Sequence, residues 1–298
     1  MRAVWSFWSR PFDDYYKRAW LSEYHHLLAW VISVNFARQH YPDTMLVTDI
    51  AGKRLLVDEL GLPFKVVSTE LERLRDVDLR WWTMGKLVAY SLQTEPFVHV
   101  DADVFLWKRL PLWLEETPVI VQHPEHFSKR DACYQLEAVE ASMRETGGII
   151  PEEWSWTHAR GPHQRAENCG ICGGADLSFL NYYANLAMLV ALRPENQAGW
   201  RRLRDTWMNM VVEQNLLTAC IEYHRHHQDS PFRGVRHDYL FDTAAHAFDP
   251  ALATRAGFTH LISNAKRNPA VAQRIEARVR RDFPGYIARC RQAVLRAA

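Results

Sequence analysis

Within the first hundred residues, short β-branched runs alternate with stretches of helical periodicity, and this alternation limits the fold more than any other feature of the chain. Ala3 to Trp8 reads as a strand ending in a loop at Ser9 to Asp14. From Tyr15 to His40 the apolar residues Leu27, Leu28, Val31, Ile32 and Val34 recur at helical spacing, until Pro42 and Asp43 stop the helix. Thr44 to Thr48 is a second strand, Lys53 to Leu60 a helix closed by Gly61, and Phe64 to Val67 a third strand. After a helix around Thr83 to Leu92, Pro96 to Val100 forms a fourth strand. A β-α-β-α-β order predicts a mostly parallel sheet with helices on its faces, which binds ligands outside the carboxyl ends of its strands.

The second half is less regular. Val119 to Val121 suits a further strand and Ala132 to Thr146 a helix, followed by a Trp- and His-rich stretch from Pro151 to Gln164 read as an irregular, substrate-facing insertion. Asn168 to Gly174 precedes a helix over Ser178 to Arg193, a further helical stretch spans about Trp200 to Tyr223, and Arg267 to Ala298 forms a basic amphipathic helix or pair of helices. With no internal repeat or low-complexity linker, the expectation is one domain over residues 1–270 and a C-terminal helical extension over 271–298.

Composition narrows the class of function. The chain has 298 residues, 48% of them apolar, enough for a large core, and 36 Lys plus Arg against 35 Asp plus Glu leave a formal charge of +1. Such a balance creates no field that draws the protein onto nucleic acid, so a small-molecule substrate is expected. Five irregularly spaced cysteines do not form a disulfide framework. The first residues lack the apolar core of a signal peptide, and no window approaches the roughly 18 apolar residues of a membrane span. A cytoplasmic enzyme fits these features.

The chemistry concentrates at Asp101 and Asp103. An apolar strand ending in Asp-x-Asp puts both carboxylates on the same side of the chain just past the sheet, where two hard oxygen ligands can share Mg²⁺ or Mn²⁺ with the phosphate oxygens of a substrate. The same pattern also suits a turn with two solvated acids. Other pairs have comparable alternatives. Gly170, Gly173 and Gly174 permit close backbone approach or a tight turn before a helix. Cys169 and Cys172 could open a zinc site with His224, His226 and His227, or be small buried thiols.

Taken together, Val98 to Phe105 with Leu110, Asn168-Cys-Gly170, Glu213-Gln-Asn215 and His260-x5-Lys266 resemble, in order, the landmarks of the GT-A nucleotide-sugar transferases that include glycogenin and the lipopolysaccharide galactosyltransferases. The resemblance covers roughly residues 80 to 270. It implies a GT-A fold, a Rossmann-like α/β mixed sheet flanked by helices, and transfer of a sugar from a nucleoside diphosphate donor, uridine-linked, with retention. It also implies that Asp101, Asp103 and His260 hold the cation, that Lys266 pairs with the diphosphate, and that Lys86 lies on the donor. Asn168 and Gly170 would meet the sugar, Gln214 the anomeric carbon and Glu213 the sugar hydroxyls, while Trp8, Ser9 and Asp49 would lie near the base and ribose. The family usually has Gly three residues after the His and Pro-Trp after the Lys, where this chain has Ser263 and Arg267-Asn268.

Three other readings use the same acids: a haloacid-type phosphatase, a two-metal nucleotidyltransferase, and a non-catalytic nucleotide-sugar-binding module. The phosphatase pattern wants Thr or Val where Phe105 stands, and the nucleotidyltransferase wants a Gly-rich basic loop that Arg10 to Asp14 lacks. The acceptor, whether glycan, lipid-linked glycan or protein, is open. Trp154, Trp156, His158 and His163 suit either an aromatic acceptor platform or packing. Basic residues from Arg274 to Arg291 suit either a peripheral membrane contact or a solvated helix face.

Overall fold

The computed structural model describes residues 1–14, 19–203 and 208–297. Its centre is a seven-stranded sheet made of β1 (Arg2–Phe7), β2 (Thr44–Thr48), β3 (Val66–Ser68), β4 (Phe97–Val100), β6 (Val119–Ser128), β7 (His163–Gly174) and β8 (His237–Tyr239), in the order β3-β2-β1-β4-β7-β6-β8. The pairs β1–β2, β2–β3, β1–β4 and β6–β8 are parallel, whereas β7 runs antiparallel to both β4 and β6. The expected mixed α/β architecture with a helical C-terminal extension is present.

Side-chain alternation along β1 shows why the sheet needs cover on both faces. Val4 joins a cluster with Leu87, Val88, Phe179 and Leu180, while Ala3, Trp5 and Phe7 join one with Leu28, Ile32, Ile275 and Ile287. The helices Met84–Ser91 and Leu177–Leu192 therefore cover one face, and Glu23–Ala37 covers the other. The last two helices, Pro269–Asp282 and Gly285–Ala297, lie outside Glu23–Ala37 and bury Ile275, Val279, Ile287 and Cys290 against it. Much of the basic exterior of these helices is neutralised locally, since Arg278 and Arg281 pair with Asp282 and Arg280 with Glu276. Among the described residues no helix is long and apolar enough to cross a membrane.

A two-stranded ladder beside the main sheet pairs β5 (Val104–Leu106) with β9 (Phe258–His260), antiparallel, with Val104 opposite His260. That register sets His260 beside Asp103. On the other side the Asp101 amide donates to the Gly170 carbonyl at 3.0 Å, extending the β4–β7 pairing by one step.

Several sequence expectations change. Ser9–Asp14 is a short helix rather than a loop. The first long helix begins at Glu23, after the extended residue Ser22, and Tyr15 to Arg18 lie outside the described residues. β3 starts two residues later than expected, and β6 runs on to Ser128. The stretch read as an irregular insertion holds the helix Glu152–His158, whose inner side carries Trp154 and His158, 1% and 2% exposed. Trp154 donates to Glu140 at 3.1 Å, and His158 lies 2.6 Å from the same carboxylate. These two side chains therefore pack the interior and form no acceptor platform. Within the expected Trp200 to Tyr223 helix, Arg204 to Trp207 lie outside the described residues, and the described remainder includes a π-helical turn, Val211–Asn215, continued by the helix Leu216–His226.

Of the two readings of the glycine-rich segment, close backbone approach holds and a tight turn does not, because Asn168 to Gly174 is the end of β7, packed against neighbouring backbone. Gly174 takes φ 139, and a Cβ there would overlap the Pro118 carbonyl. Overpacking and backbone strain act together at this position. Gly174→Ala is expected to cost about 3 kcal/mol, read as a lower urea midpoint with unchanged slope.

Candidate active site

Four elements converge at the carboxyl end of β4. The strand delivers Asp101 and Asp103, the ladder delivers His260, the helix Met84–Ser91 delivers Lys86, and the short 3-10 helix Ser263–Arg267 delivers Lys266. Asp101, Asp103 and His260 each present a ligand atom within 4.8 Å of the other two. Among the described residues this is the one cluster of three or more potential metal ligands, so Cys169 and Cys172, both fully buried, join no zinc site with His224, His226 or His227.

Two carboxylates this close, Asp103 buried and Asp101 half-buried, repel by about 3 kcal/mol even at an effective dielectric of about 20, so the site must hold positive charge. Lys86 supplies part of it: its ammonium lies 3.0 Å from Asp101 and 2.6 Å from Glu213, and donates to the Cys169 carbonyl at 2.9 Å. Lys86 thus has protein partners for its donors and ties the acidic strand end to the π-helical turn. Lys266 pairs with Asp103, beside His260 at 3.6 Å. Three carboxylates against two ammonium groups leave one negative charge, which suits a cation.

The titration behaviour follows from this arrangement. Burial pushes the Asp101 carboxyl up to about 7, an effect that Lys86 opposes and the charges of Asp103 and Glu213 reinforce. Burial also acts on Asp103, but Lys266 and His260 outweigh it and hold that carboxyl below its ordinary range. Burial, only partly offset by Asp103, takes the His260 imidazole down to about 4. A neutral imidazole is the form that ligates metals.

Gln122 anchors the ring: its side-chain amide lies 2.8 Å from His260 Nδ1, which leaves Nε2 on the side of Asp103, 3.6 Å from its carboxylate. Gly170 makes this packing possible, since a Cβ at that position would collide with both Gln122 and the His260 ring. No motif or periodicity marks Gln122, which sits beside a register shift between β6 and β7.

Beside this cluster opens a cavity of about 420 Å³ lined on one side by Trp8, Phe12, Trp20, His26 and Trp30. Two ring N–H groups on this wall have no partner among the described residues: Trp8 Nε1 and His26 Nδ1. The His26 tautomer follows from Trp30, whose indole N–H donates to His26 Nε2 at 3.1 Å, while burial and Lys266 hold the ring neutral, down to about 3. A buried N–H without a partner carries a desolvation cost. His26, Phe12 and Trp20 were not singled out from the sequence, because their relation to the site arises from stacking: Phe12 and His26 lie face to face at 4.3 Å.

The remaining predicted residues fall into two groups. Asn168, Gly170, Glu213 and Gln214 line the cavity, as does Glu125, which the sequence reading did not name. Ser9 and Asp49 are buried behind it. Asp49 accepts from the Ser9 amide and hydroxyl at 2.9 and 2.7 Å and caps the next helix through the Gly52 amide at 2.7 Å. Their polar groups therefore brace the Trp8 turn. Ser263, where a glycine was expected by resemblance, takes φ 52, so the left-handed backbone that a glycine would supply is present at a cost of about 1 kcal/mol.

No curated protein matches the sequence significantly. Among solved structures, the chain is similar to the galactosyltransferase LgtC in complex with donor and acceptor sugar analogs, at 13% identity and a TM-score of 0.43, over 93% of this chain and 94% of that one. An active-site glutamine-to-glutamate mutant of LgtC matches at 11% identity and a TM-score of 0.41, over 87% and 86% of the two chains. A family model, DUF6734, described as a family of unknown function, matches residues 1–293. With a match over almost its whole length, the chain belongs to the DUF6734 family.

Proposed function

We propose that the protein is a metal-dependent glycosyltransferase that takes a sugar from a uridine diphosphate donor, with retention at the anomeric carbon. The observation that carries this reading is the convergence of Asp101, Asp103 and His260 within 4.8 Å beside Lys266, at the carboxyl end of a sheet strand. Two carboxylates and one neutral imidazole fit Mn²⁺ well and Mg²⁺ acceptably, with the remaining coordination left to phosphate oxygens and water. Such a cation, when bound, supplies the positive charge that stabilises a departing diphosphate.

The chain's own residues do the rest. Lys266 supplies a second positive charge for the phosphates, next to the metal ligands rather than at a distance from them. Trp8 and His26 line the cavity on the side that would take the nucleotide. Asn168 and Gln214, which also line the cavity, meet the sugar. The aromatic side excludes water and strengthens each of these contacts.

Calorimetry of uridine diphosphate binding with and without Mn²⁺ tests the reading. Binding is expected to require the metal and to weaken at least about 100-fold in Asp103→Asn. If neither uridine nor guanosine diphosphate binds with any divalent cation, the assignment fails. Gly170→Ala probes the support of His260 separately. The displaced ring should weaken Mn²⁺ binding about 10-fold or more with unchanged far-ultraviolet circular dichroism, whereas unaltered Mn²⁺ affinity would remove Gly170 and Gln122 from this role.

A further inference from the structure

On the cavity wall Glu125 is a carboxylate without a task in the reaction above. It comes from the half of β6 that sequence reading left unassigned, and its two oxygens serve two different residues. Oε1 accepts from Asn168 Nδ2 at 2.7 Å, and Oε2 accepts from the Tyr134 hydroxyl at 2.6 Å. That hydroxyl also lies 3.0 Å from the terminal amide of Gln214, at the atom placed as Oε1.

We propose that Glu125, directly and through Tyr134, is a positioning group that fixes the orientation of both amides facing the sugar, and that it turns the carbonyl oxygen of Gln214 toward the cavity. The proposal rests on the glycosyltransferase reading for its consequence, though not for its geometry.

The argument is a count of protons. For Asn168 there is no freedom: the Gly170 amide donates to its Oδ1 at 3.1 Å, so its NH₂ must be the group on Glu125. For Gln214 the phenol decides. A phenol has one proton, an ionised carboxylate can only accept, and the contact with Glu125 is the shorter of the two. The proton therefore goes to Glu125, and a Gln214 carbonyl against the same phenol oxygen would set two acceptors face to face. Turning the amide over, which changes no heavy-atom position appreciably, makes Nε2–H the donor to Tyr134 and sends the carbonyl oxygen the other way.

Tyr134 is built to hold this arrangement. It is 4% exposed and stacks on Phe127 with centroids 3.9 Å apart and planes 10° apart. Burial and the Glu125 charge push its hydroxyl well above the ordinary phenol range, so it keeps its proton. The backbone under Gln214 is also pinned, because the Tyr183 hydroxyl donates to the Glu213 carbonyl and Asn215 donates to the Arg165 carbonyl at 2.8 Å. What remains free in Gln214 is the amide, and Tyr134 sets it. An oxygen facing the cavity stabilises positive charge developing at the anomeric carbon as the diphosphate departs, whereas an N–H there would oppose it.

Two measurements test this. The first needs no substrate: side-chain amide signals of ¹⁵N-labelled protein, with the Gln214 pair assigned by its loss in Gln214→Glu. One Gln214 N–H proton is expected to be shifted by its bond to the phenol, and to return to the ordinary position in Tyr134→Phe, a change that keeps the stacking. A Gln214 signal identical in both proteins overturns the orientation, whatever the protein transfers. The second is Mn²⁺-dependent release of uridine diphosphate from a panel of uridine diphosphate hexoses. Tyr134→Phe should lower kcat roughly 10- to 100-fold while leaving affinity for uridine diphosphate unchanged, and should have no further effect when added to Gln214→Ala. Equal losses on both backgrounds would mean that Tyr134 only supports the fold, and the inference fails. Absence of nucleotide binding by the wild-type protein would instead sink the functional reading, with the amide orientation still decided by the first measurement.

Discussion

Two carboxylates at the end of one buried strand cannot be left to themselves, and the way the chain meets this constraint organises the rest of the molecule. Lys86 reaches Asp101 from a helix on one face of the sheet, and Lys266 reaches Asp103 from the segment that precedes the last two helices. Each lysine also connects the acids to something else. Lys86 holds Glu213, fully buried in the π-helical turn that also carries Gln214, and Lys266 lies 5.8 Å from the Trp20 ring on the aromatic wall. Breaking a buried pair of this kind leaves an uncompensated charge, which costs about 3 to 5 kcal/mol, so the geometry of the cavity is coupled to its charge balance.

The layered fold was legible where local and long-range preferences agree. Thr44–Thr48 and Phe97–Val100 are short apolar runs bounded by turn residues, and each is the strand its composition suggests, so the acids at 101 and 103 could be placed at a strand end before any contact was known. Legibility failed where packing overrides propensity. Gly170, Gly173 and Gly174 have poor strand preference, yet they stand in a central strand because neighbouring backbone and side chains leave no room for a Cβ. A helix of seven residues, Glu152–His158, is too short to show a period.

The candidate site divides in the same way. Asp101 and Asp103 were legible from residue type and spacing at a strand end, and His260 and Lys266 through the family resemblance. Residues that matter through a partner were not. Gln122 acquires its role from a register shift, His26 from an indole donor on its own helix, and Tyr134 from a carboxylate and an amide that share one phenol. None of these relations has a periodicity or a motif. Conversely, Asp49 has the right type and position for a ligand contact, but its carboxylate is occupied with Ser9 and the start of the next helix.

The β5–β9 ladder gives the site a history in time as well as a place in space. It joins segments that are far apart in sequence, with Trp107 and Thr259 bonded across 152 residues. Closing a loop of that length carries a logarithmic entropy cost of about 4 kcal/mol, which three ladder residues alone barely offset. The parallel core β1-β2-β3-β4 lies entirely within the first hundred residues and can form while the remainder is still being synthesised. His260 and Lys266 leave the ribosome about 160 residues after β4, so the nascent chain can form the parallel half of its sheet well before the cation cluster is complete.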